Sequence, residues 1–366
     1  MTQGYLILSG GEVFKGRLFG ASGKISIGEI VFNTSMAGYP EILTDPSYNG
    51  QIVLFTYPLI GNYGYDGIWA ESSIMTVSAM VVKKLYTGTV PPGRKTLDEA
   101  LAQEGITGIE GIDTRALTLK IREEGSCNAL ICSEENLAEG LEMLKTFPSI
   151  TERDLIHEVA VKEKEFNPLL GDGFALPPSD PVHHIAVVDF GIKLSIISNF
   201  YRRNTAVTLL PPSFTAEEVL NGGYDMLFLS NGPGDPALLQ DQVGEIRKCI
   251  GKIPVCGICL GHQLITWALG GRTVKMKYGH HGGNQPVRDL ESGRSFVTAQ
   301  NHNYMSDPSA LPESVRIWFT NANDGTVEGL FEPDLHVRSV QFHPEASPGP
   351  DDALWIFDSF LKEIGK

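Results

Sequence analysis

No apolar run in this sequence approaches the roughly 20 residues that a membrane-spanning helix needs, so no spanning segment and no membrane partner are expected. The first residues, Met1-Thr2-Gln3-Gly4-Tyr5, lack the basic stretch and apolar core of an export signal. Cysteine is sparse: Cys127, Cys132, Cys249, Cys256 and Cys259 are the five in 366 residues. An odd count without an export signal argues for thiols in a reducing compartment, and a cytoplasmic protein is expected. Positive charge is also short. Lysine and arginine number 29 against 44 acidic residues, a net charge of −15. Nucleic acids and anionic membranes are met by clustered basic residues, so neither is expected as a partner. Acidic substrates stay open, because a local basic pocket can oppose the global charge. No internal repeat and no low-complexity segment is visible.

What is present is a globular composition, 42% hydrophobic and 20% charged. A chain this long exceeds one ordinary core, so two domains are expected. Residues 1–150 carry β-like runs at Tyr5–Leu8, Ile25–Phe32, Gln51–Thr56 and Ser78–Val82, between Gly- and Pro-containing turns. Thr96–Glu104 and Thr114–Glu124 read as helices, the second capped by Asp113 or Thr114 and ended by Gly125. This half is expected to be a smaller, mixed α+β domain. Residues 151–181 are crowded with charge and then with Pro168, Gly171, Gly173, Pro177, Pro178 and Pro181, and read as a linker. Residues 182–366 alternate strand and helix: strands at Ile185–Asp189, Val207–Leu210, Met226–Ser230, Val255–Ile258, Val315–Thr320 and Val337–Gln341. Helices are expected at Lys193–Arg203, Val243–Ile250, Gln263–Leu269 and Leu354–Ile364. That rhythm predicts an α/β fold, an open, mostly parallel sheet with flanking helices.

The most informative stretch is Gly257-Ile258-Cys259-Leu260-Gly261, between a short apolar strand and a helical pattern. This is the cysteine form of the nucleophile elbow. A nucleophile on a sharp strand-to-helix turn needs strained backbone, and glycines two residues to either side let neighbouring segments pack close. Cys259 then stands at a helix N-terminus, where the dipole favours developing negative charge. The Leu260 N–H points the same way and can serve an oxyanion. A buried structural cysteine is the plainer reading of any lone thiol. Cys256 and Cys259 also form a C-x-x-C, but no second such pair stands at zinc-ribbon spacing.

Near the C-terminus, Gln341-Phe342-His343-Pro344-Glu345 follows a strand. Residues i and i+2 of an extended chain point to one side, so His343 and Glu345 can share a face. An imidazole beside a thiol takes its proton and returns it to a leaving amine, while a carboxylate fixes the ring's tautomer. Alone this motif is weak. Joined to the elbow in one βα domain it is specific.

These motifs together resemble the triad-type (class I) glutamine amidotransferase family, with Cys259, His343 and Glu345 as the triad. Asn231-Gly-Pro-Gly-Asp-Pro236 matches that family's oxyanion-side loop. The N-terminal half is similar to the small subunit of carbamoyl-phosphate synthetases. The likeness there rests on Phe32-Asn-Thr-Ser-Met-Ala-Gly-Tyr39, Glu41-Ile-Leu-Thr-Asp-Pro-Ser47 and Gly111-Ile-Asp-Thr-Arg-Ala-Leu117. The resemblance implies that residues 1–150 meet a partner and contribute Ser47 to the substrate. It implies a glutamine pocket of Ser47, Gly232, Gly234, Leu260, Gln263, Asn301, Asn303 and Tyr304, with Gly232 and Leu260 forming the oxyanion hole. Asn303 and Tyr304 depart from the family's commonest Gly and Phe, and a left-handed Asn303 is expected to preserve a main-chain contact.

The resemblance further implies L-glutamine as substrate and a large subunit as partner, in a heterodimer or an oligomer of heterodimers. No cofactor is expected in this chain; ATP, Mg and bicarbonate belong to the large subunit. Consistent with that division, the sequence has no G-x-x-x-x-G-K-[ST] loop and no strand-associated G-x-G-x-x-G. A catalytically silent scaffold subunit and a general cysteine hydrolase are the competing readings. The first would forgo the triad, and the second leaves the N-terminal half unexplained.

Four look-alikes are set aside. Asp189-Phe190-Gly191 imitates a kinase triplet without the catalytic loop that precedes it. His280-His281 reads as a solvated or interdomain loop, and no metal is expected there, since adjacent residues rarely converge on one ion. His262 is expected to cap or pack its helix, and Cys127 and Cys132 to be ordinary β or loop positions.

Overall fold

The computed structural model describes residues 2–365, which divide into two compact units, one ending at Arg153 and the other starting at Asp154. None of the five cysteines is in a disulfide. No helix of the described residues is long and apolar enough to cross a membrane.

The first unit is a closed barrel. Its strands are β1 (Gln3–Leu8), β2 (Val13–Gly20), β3 (Ser26–Asn33), β4 (Gln51–Phe55), β5 (Ala79–Val81), β6 (Thr107–Glu110) and β7 (Cys127–Ser133). They close in the order β1-β2-β6-β5-β4-β3-β7. Around them lie α1 (Tyr39–Thr44), α2 (Leu97–Glu104), α3 (Thr114–Glu124) and α4 (Leu137–Thr146). The helix ends follow from local chemistry. Thr96 Oγ1 accepts from Glu99 N–H while the Glu99 carboxylate accepts from Thr96 N–H, a reciprocal cap. Asp113 caps α3 through Ala116 N–H. Closure was not expected from sequence. It leaves no sheet edge, and Leu6, Ile30, Ile52, Leu54, Val81 and Ile109 are fully buried.

Of residues 151–181, read as a linker, 151–153 belong to the first unit and the rest are laced onto the second. The short α5 (Ile156–Val159) buries Ile156, and β8 (Glu165–Phe166) pairs antiparallel with a later strand. Tyr201 Oη donates to Pro168 O at 3.0 Å, and Ala175 N–H to Ser198 Oγ at 2.9 Å. The pattern of Pro and charge marked the absence of regular structure, not the absence of packing.

The second unit continues with β9 (His183–Val188), α6 (Leu194–Tyr201), β10 (Thr205–Leu210), α7 (Ala216–Asn221), β11 (Met226–Leu229), α8 (Gln240–Cys249), β12 (Val255–Ile258) and α9 (Leu260–Ala268). Then come β13 (Thr273–Asp289), β14 (Ser295–Ser306), β15 (Arg316–Asn321), β16 (Val327–Glu332), β17 (Val337–Val340) and α10 (Trp355–Leu361). The sheet order is β14-β13-β15-β16-β17-β12-β11-β9-β10-β8. The α/β class is as expected, but "mostly parallel" is corrected. Only the run β17-β12-β11-β9-β10 is parallel, and its flanks are antiparallel.

The parallel strands read as continuous apolar runs because both faces are covered. Ile185 and Val187 face a cluster with α6 and α10, whereas Ala186 and Val188 face one with α8 and α9. The long β13–β14 ladder was missed. Its residues are largely polar, and its register slips at two places, between Lys275 and His280 and between Gly282 and Gln285, which breaks the two-residue alternation.

Candidate functional site

Strands β11, β12 and β17 run side by side and parallel, with Leu229 opposite Gly257 and Ile258 opposite Val340. Three loops therefore leave the sheet at neighbouring points on its carboxyl edge, where open α/β sheets place their sites. They carry Asn231–Pro236, Cys259 and Gln341–Glu345.

Cys259 has φ 53° and ψ −104°, a conformation that costs a non-glycine residue about 1–3 kcal/mol. The surroundings enforce it. Cys259 N–H donates to Val340 O at 2.9 Å, and Gly261 N–H to Ser230 O at 3.0 Å. A Cβ at 261 would lie 2.2 Å from Leu229 O, and one at 257 would lie 2.9 Å from the Gly261 carbonyl carbon. Glycine at both positions lets strand, turn and helix come this close. The thiol is 2% exposed and donates to Asn301 O at 3.5 Å. Cys256, on β12, is buried in the core.

Leu260 is the first residue of α9, so its N–H has no intrahelical acceptor. Gly232 sits beside it: a Cβ there would be 2.3 Å from Phe190 O and 3.0 Å from Leu260 Cδ2. Gly234 has φ 98°, a backbone that favours glycine.

His343 is tied to β14 by its N–H, which donates to Ala299 O at 2.8 Å. Its Nδ1 lies 2.6 Å from Glu345 Oε1. The structure thus brings together the pair expected from their spacing. With Nδ1 turned to the carboxylate, Nε2 is the atom left for the thiol. Nε2 makes no hydrogen bond of ordinary geometry, yet the Cys259 sulfur is close enough to favour its protonation. Burial alone would lower the His343 pKa; the Glu345 carboxylate and then Cys259 outweigh it, and the pKa is raised above 6.5.

A residue the sequence did not single out holds this pair. Lys193, 2% exposed, donates from Nζ to Glu345 Oε1 at 3.0 Å and to Ala346 O at 2.6 Å. Its own N–H donates to Asn231 Oδ1 at 3.1 Å. Lys193 thereby joins two of the three loops. Burial would raise the Glu345 pKa, but Lys193 and then His343 pull it down from 4.5 to about 2. A lysine opening a helix ordinarily reads as solvent-facing. The signal available was its place between Ile192 and Leu194, just after a buried strand.

The sign of the Glu345 shift fixes a pH dependence. Its stabilisation is full above the unfolded value of 4.5 and is lost as pH falls toward about 2. A tenfold change in proton affinity is worth about 1.4 kcal/mol, so the loss is on the order of 3 kcal/mol. Thermal midpoints measured from about pH 5 to about pH 3 are expected to fall more steeply for the wild type than for Glu345→Gln. Parallel slopes would refute the assignment. His343 acts oppositely: its contribution is full below 6.5 and fades as pH rises through its raised folded value.

The remaining expected residues are placed as follows. Gln263 Nε2 donates to Tyr304 O at 3.2 Å and Gln341 Oε1 at 3.1 Å, tying α9 to β14 and to the strand end before His343. His281 bridges Asn301 Oδ1 at 2.8 Å and Asn303 Oδ1 at 3.0 Å. Asn303 is not left-handed, contrary to expectation. It is a residue of β14 without a positive φ, at the register slip between His302 and Tyr304. Tyr304 is buried on the same strand.

Ser47 lies in the first unit, on a single turn where Asp45 Oδ1 accepts its N–H at 2.9 Å. His262 packs as expected, with Nδ1 2.9 Å from Ser339 Oγ and Nε2 3.0 Å from Ser306 Oγ; burial pushes its pKa down to about 3. Asp189 is a turn residue, accepting from Gly191, Ile192 and Val161 N–H. The reading of His280-His281 as a solvated loop is overturned, because both are buried on β13.

Residues 186–363 match the glutamine amidotransferase class-I family, so the second unit, with its elbow cysteine and His–Glu pair, is a domain of that class. Residues 6–131 match the family of the carbamoyl-phosphate synthase small chain, CPSase domain. The carbamoyl phosphate synthase small chain of Methanocaldococcus jannaschii is 42% identical over 365 residues, covering 98% of each chain. That of Clostridium perfringens is 46% identical over 359 residues, again covering 98% of each. That of Akkermansia muciniphila is 44% identical over 363 residues, covering 98% of this chain and 96% of its own. The chain belongs to the carbamoyl phosphate synthase small chain family, as a glutamine amidotransferase subunit.

Proposed function

We propose that this chain hydrolyses L-glutamine through a cysteine thioester and passes the ammonia to a carbamoyl-phosphate synthase large subunit. The observation that carries the reading is the strained Cys259 beside a buried, carboxylate-held His343. Cys259 Sγ attacks the side-chain amide carbon. The negative oxygen that forms is received by the N–H groups of Gly232 and Leu260. His343, raised in pKa, holds the proton that the departing ammonia requires, and Glu345 keeps its Nδ1 occupied. Water, deprotonated by His343, then cleaves the thioester to glutamate.

Around this centre Gly234, Asn301, Asn303 and Tyr304 line the glutamine. Gln263 keeps its oxygen for the substrate's amino group, since its nitrogen is committed to Tyr304 and Gln341. Residues 1–150, which carry Ser47, form the part that meets the partner. The large subunit combines ammonia with bicarbonate and ATP-Mg, for which this chain supplies no cofactor of its own. The assembly is a heterodimer or a multiple of one.

The test is glutamate release from glutamine by the purified chain, alone and with a carbamoyl-phosphate synthase large subunit. The large subunit is expected to raise the rate and to make carbamoyl phosphate when ATP and bicarbonate are present. If the two associate and glutamine stays intact, the chain is a silent scaffold and the proposal fails.

A further inference from the structure

Behind β14, on the side of the strand away from Asn301 and Asn303, three buried side chains meet. His280 of β13 stands directly opposite His302 of β14 in the ladder. Glu328 of β16 reaches the same point, because β14 also pairs with β16 at Ser306 and Val327. The exposures are 7%, 5% and 0%. His280 Nδ1 is 3.3 Å from Glu328 Oε1, and His302 Nε2 is 3.8 Å from the same oxygen. One ligating atom from each residue lies within 4.8 Å of the others.

The outer nitrogens are already engaged. His302 Nδ1 lies 2.8 Å from Tyr304 O, a carbonyl that can only accept, so Nδ1 carries the proton and Nε2 turns a lone pair inward. His280 Nε2 lies 2.8 Å from Asp324 Oδ2, so it too donates outward and Nδ1 faces inward. This is the outer shell that orients metal-binding histidines, with one ring nitrogen bonded to a carbonyl or carboxylate. The inward nitrogens also have longer contacts that a metal would replace, His302 Nε2 at 3.3 Å from Gln300 Oε1 and His280 Nδ1 at 3.4 Å from Asn321 Nδ2. The inner shell then holds two imidazole lone pairs and a carboxylate. Among the described residues Glu328 Oε2 is buried with no hydrogen-bond partner, while Oε1 has Asn321 Nδ2 at 3.4 Å beside the two imidazoles at 3.3 and 3.8 Å. A carboxylate so placed is costly unless a cation answers it.

We propose that His280, His302 and Glu328 form a binding site for a divalent transition-metal ion of the zinc type. The ligand types are those of three-ligand zinc sites, two histidines and a carboxylate. Tetrahedral ligands at about 2.0–2.1 Å from zinc are about 3.3 Å apart, close to the spacing seen for His280 and Glu328. Asp324, 43% exposed, marks the way in from solvent. A bound ion would pin β14 to β13 and β16, directly behind the backbone that receives the Cys259 thiol at Asn301 O. The site is distinct from the Cys259–His343–Glu345 centre and does not depend on it.

The experiment uses the full chain as Cys259→Ala, stripped with chelator, so that the thiol cannot bind metal. Titration with cobalt(II) is expected to give a visible d–d band that saturates at one equivalent, without the charge-transfer band of a sulfur ligand. Zinc(II) should displace it and raise the thermal midpoint. Glu328→Gln keeps the shape and removes the charge, and should weaken binding at least about tenfold. Should that variant misfold, X-ray absorption on the cobalt-loaded parent decides instead, with only nitrogen and oxygen neighbours expected. No binding of either metal, binding unchanged in Glu328→Gln, or a sulfur neighbour would each overturn the proposal and leave a buried proton-sharing network.

Discussion

Cys259→Ala is expected to lower the turnover of glutamine to glutamate by at least ~10⁴-fold, the scale seen when a nucleophile is removed from a triad. The loss should be confined to chemistry. The side chain is small, and the strain at φ 53° is imposed by hydrogen bonds from its neighbours that do not involve the thiol. Alanine meets the same backbone conformation at a similar steric cost, so the thermal midpoint should shift by no more than a few degrees. Glutamine should still bind, because the proposed oxyanion donors are backbone groups and Gln263 is held by Tyr304 and Gln341. Calorimetric titration with glutamine and a single-turnover assay separate these outcomes. Glutamate release near the wild-type rate would show that another nucleophile acts and would remove the triad.

The second large effect is expected from Lys193→Met, at a residue that touches no proposed substrate atom. Its ammonium lies 3.0 Å from a carboxylate that is 3% exposed. Removing one partner of such a pair strands the other, at a cost of about 3–5 kcal/mol. Glu345 relieves part of that cost by holding a proton to higher pH, and a protonated Glu345 no longer favours the charged imidazole. The acid limb of the pH–rate profile should therefore move upward, with kcat reduced more than KM is raised. Adding Glu345→Gln removes the stranded charge. The double variant should thus be more stable than Lys193→Met alone, a non-additivity that a double-mutant cycle measures. An unmoved acid limb together with an unchanged midpoint would mean that Lys193 is an ordinary buried amine without a positioning role.

Much of the site could be read from sequence because its signals are short and local. Gly257-Ile-Cys-Leu-Gly261 states its own geometry: the glycines are needed because a Cβ at 257 or 261 would strike its neighbours. His343 and Glu345 are two residues apart on extended chain, so their meeting needs no long-range information. The parallel strands were visible as apolar runs for the same kind of reason, since a strand covered on both faces has no polar alternation to lose. By contrast, His280-His281 was misread, because nothing local distinguishes a polar strand with register slips from a polar loop.

By itself, then, the sequence determined the nucleophile turn, the His–Glu pair, the helix caps at Thr96 and Asp113 and the βα rhythm of the second half. Each is set within a few residues by backbone sterics, side-chain reach and periodicity. The tertiary structure alone decided that Lys193 finds Glu345 across 152 residues of chain, and that the first unit closes into a barrel. It alone decided that His280, His302 and Glu328 converge. Such contacts form only once distant strands choose their neighbours. That choice rests on the burial of whole faces and on the pairing of backbone groups, energies spread over many residues and written in no single motif.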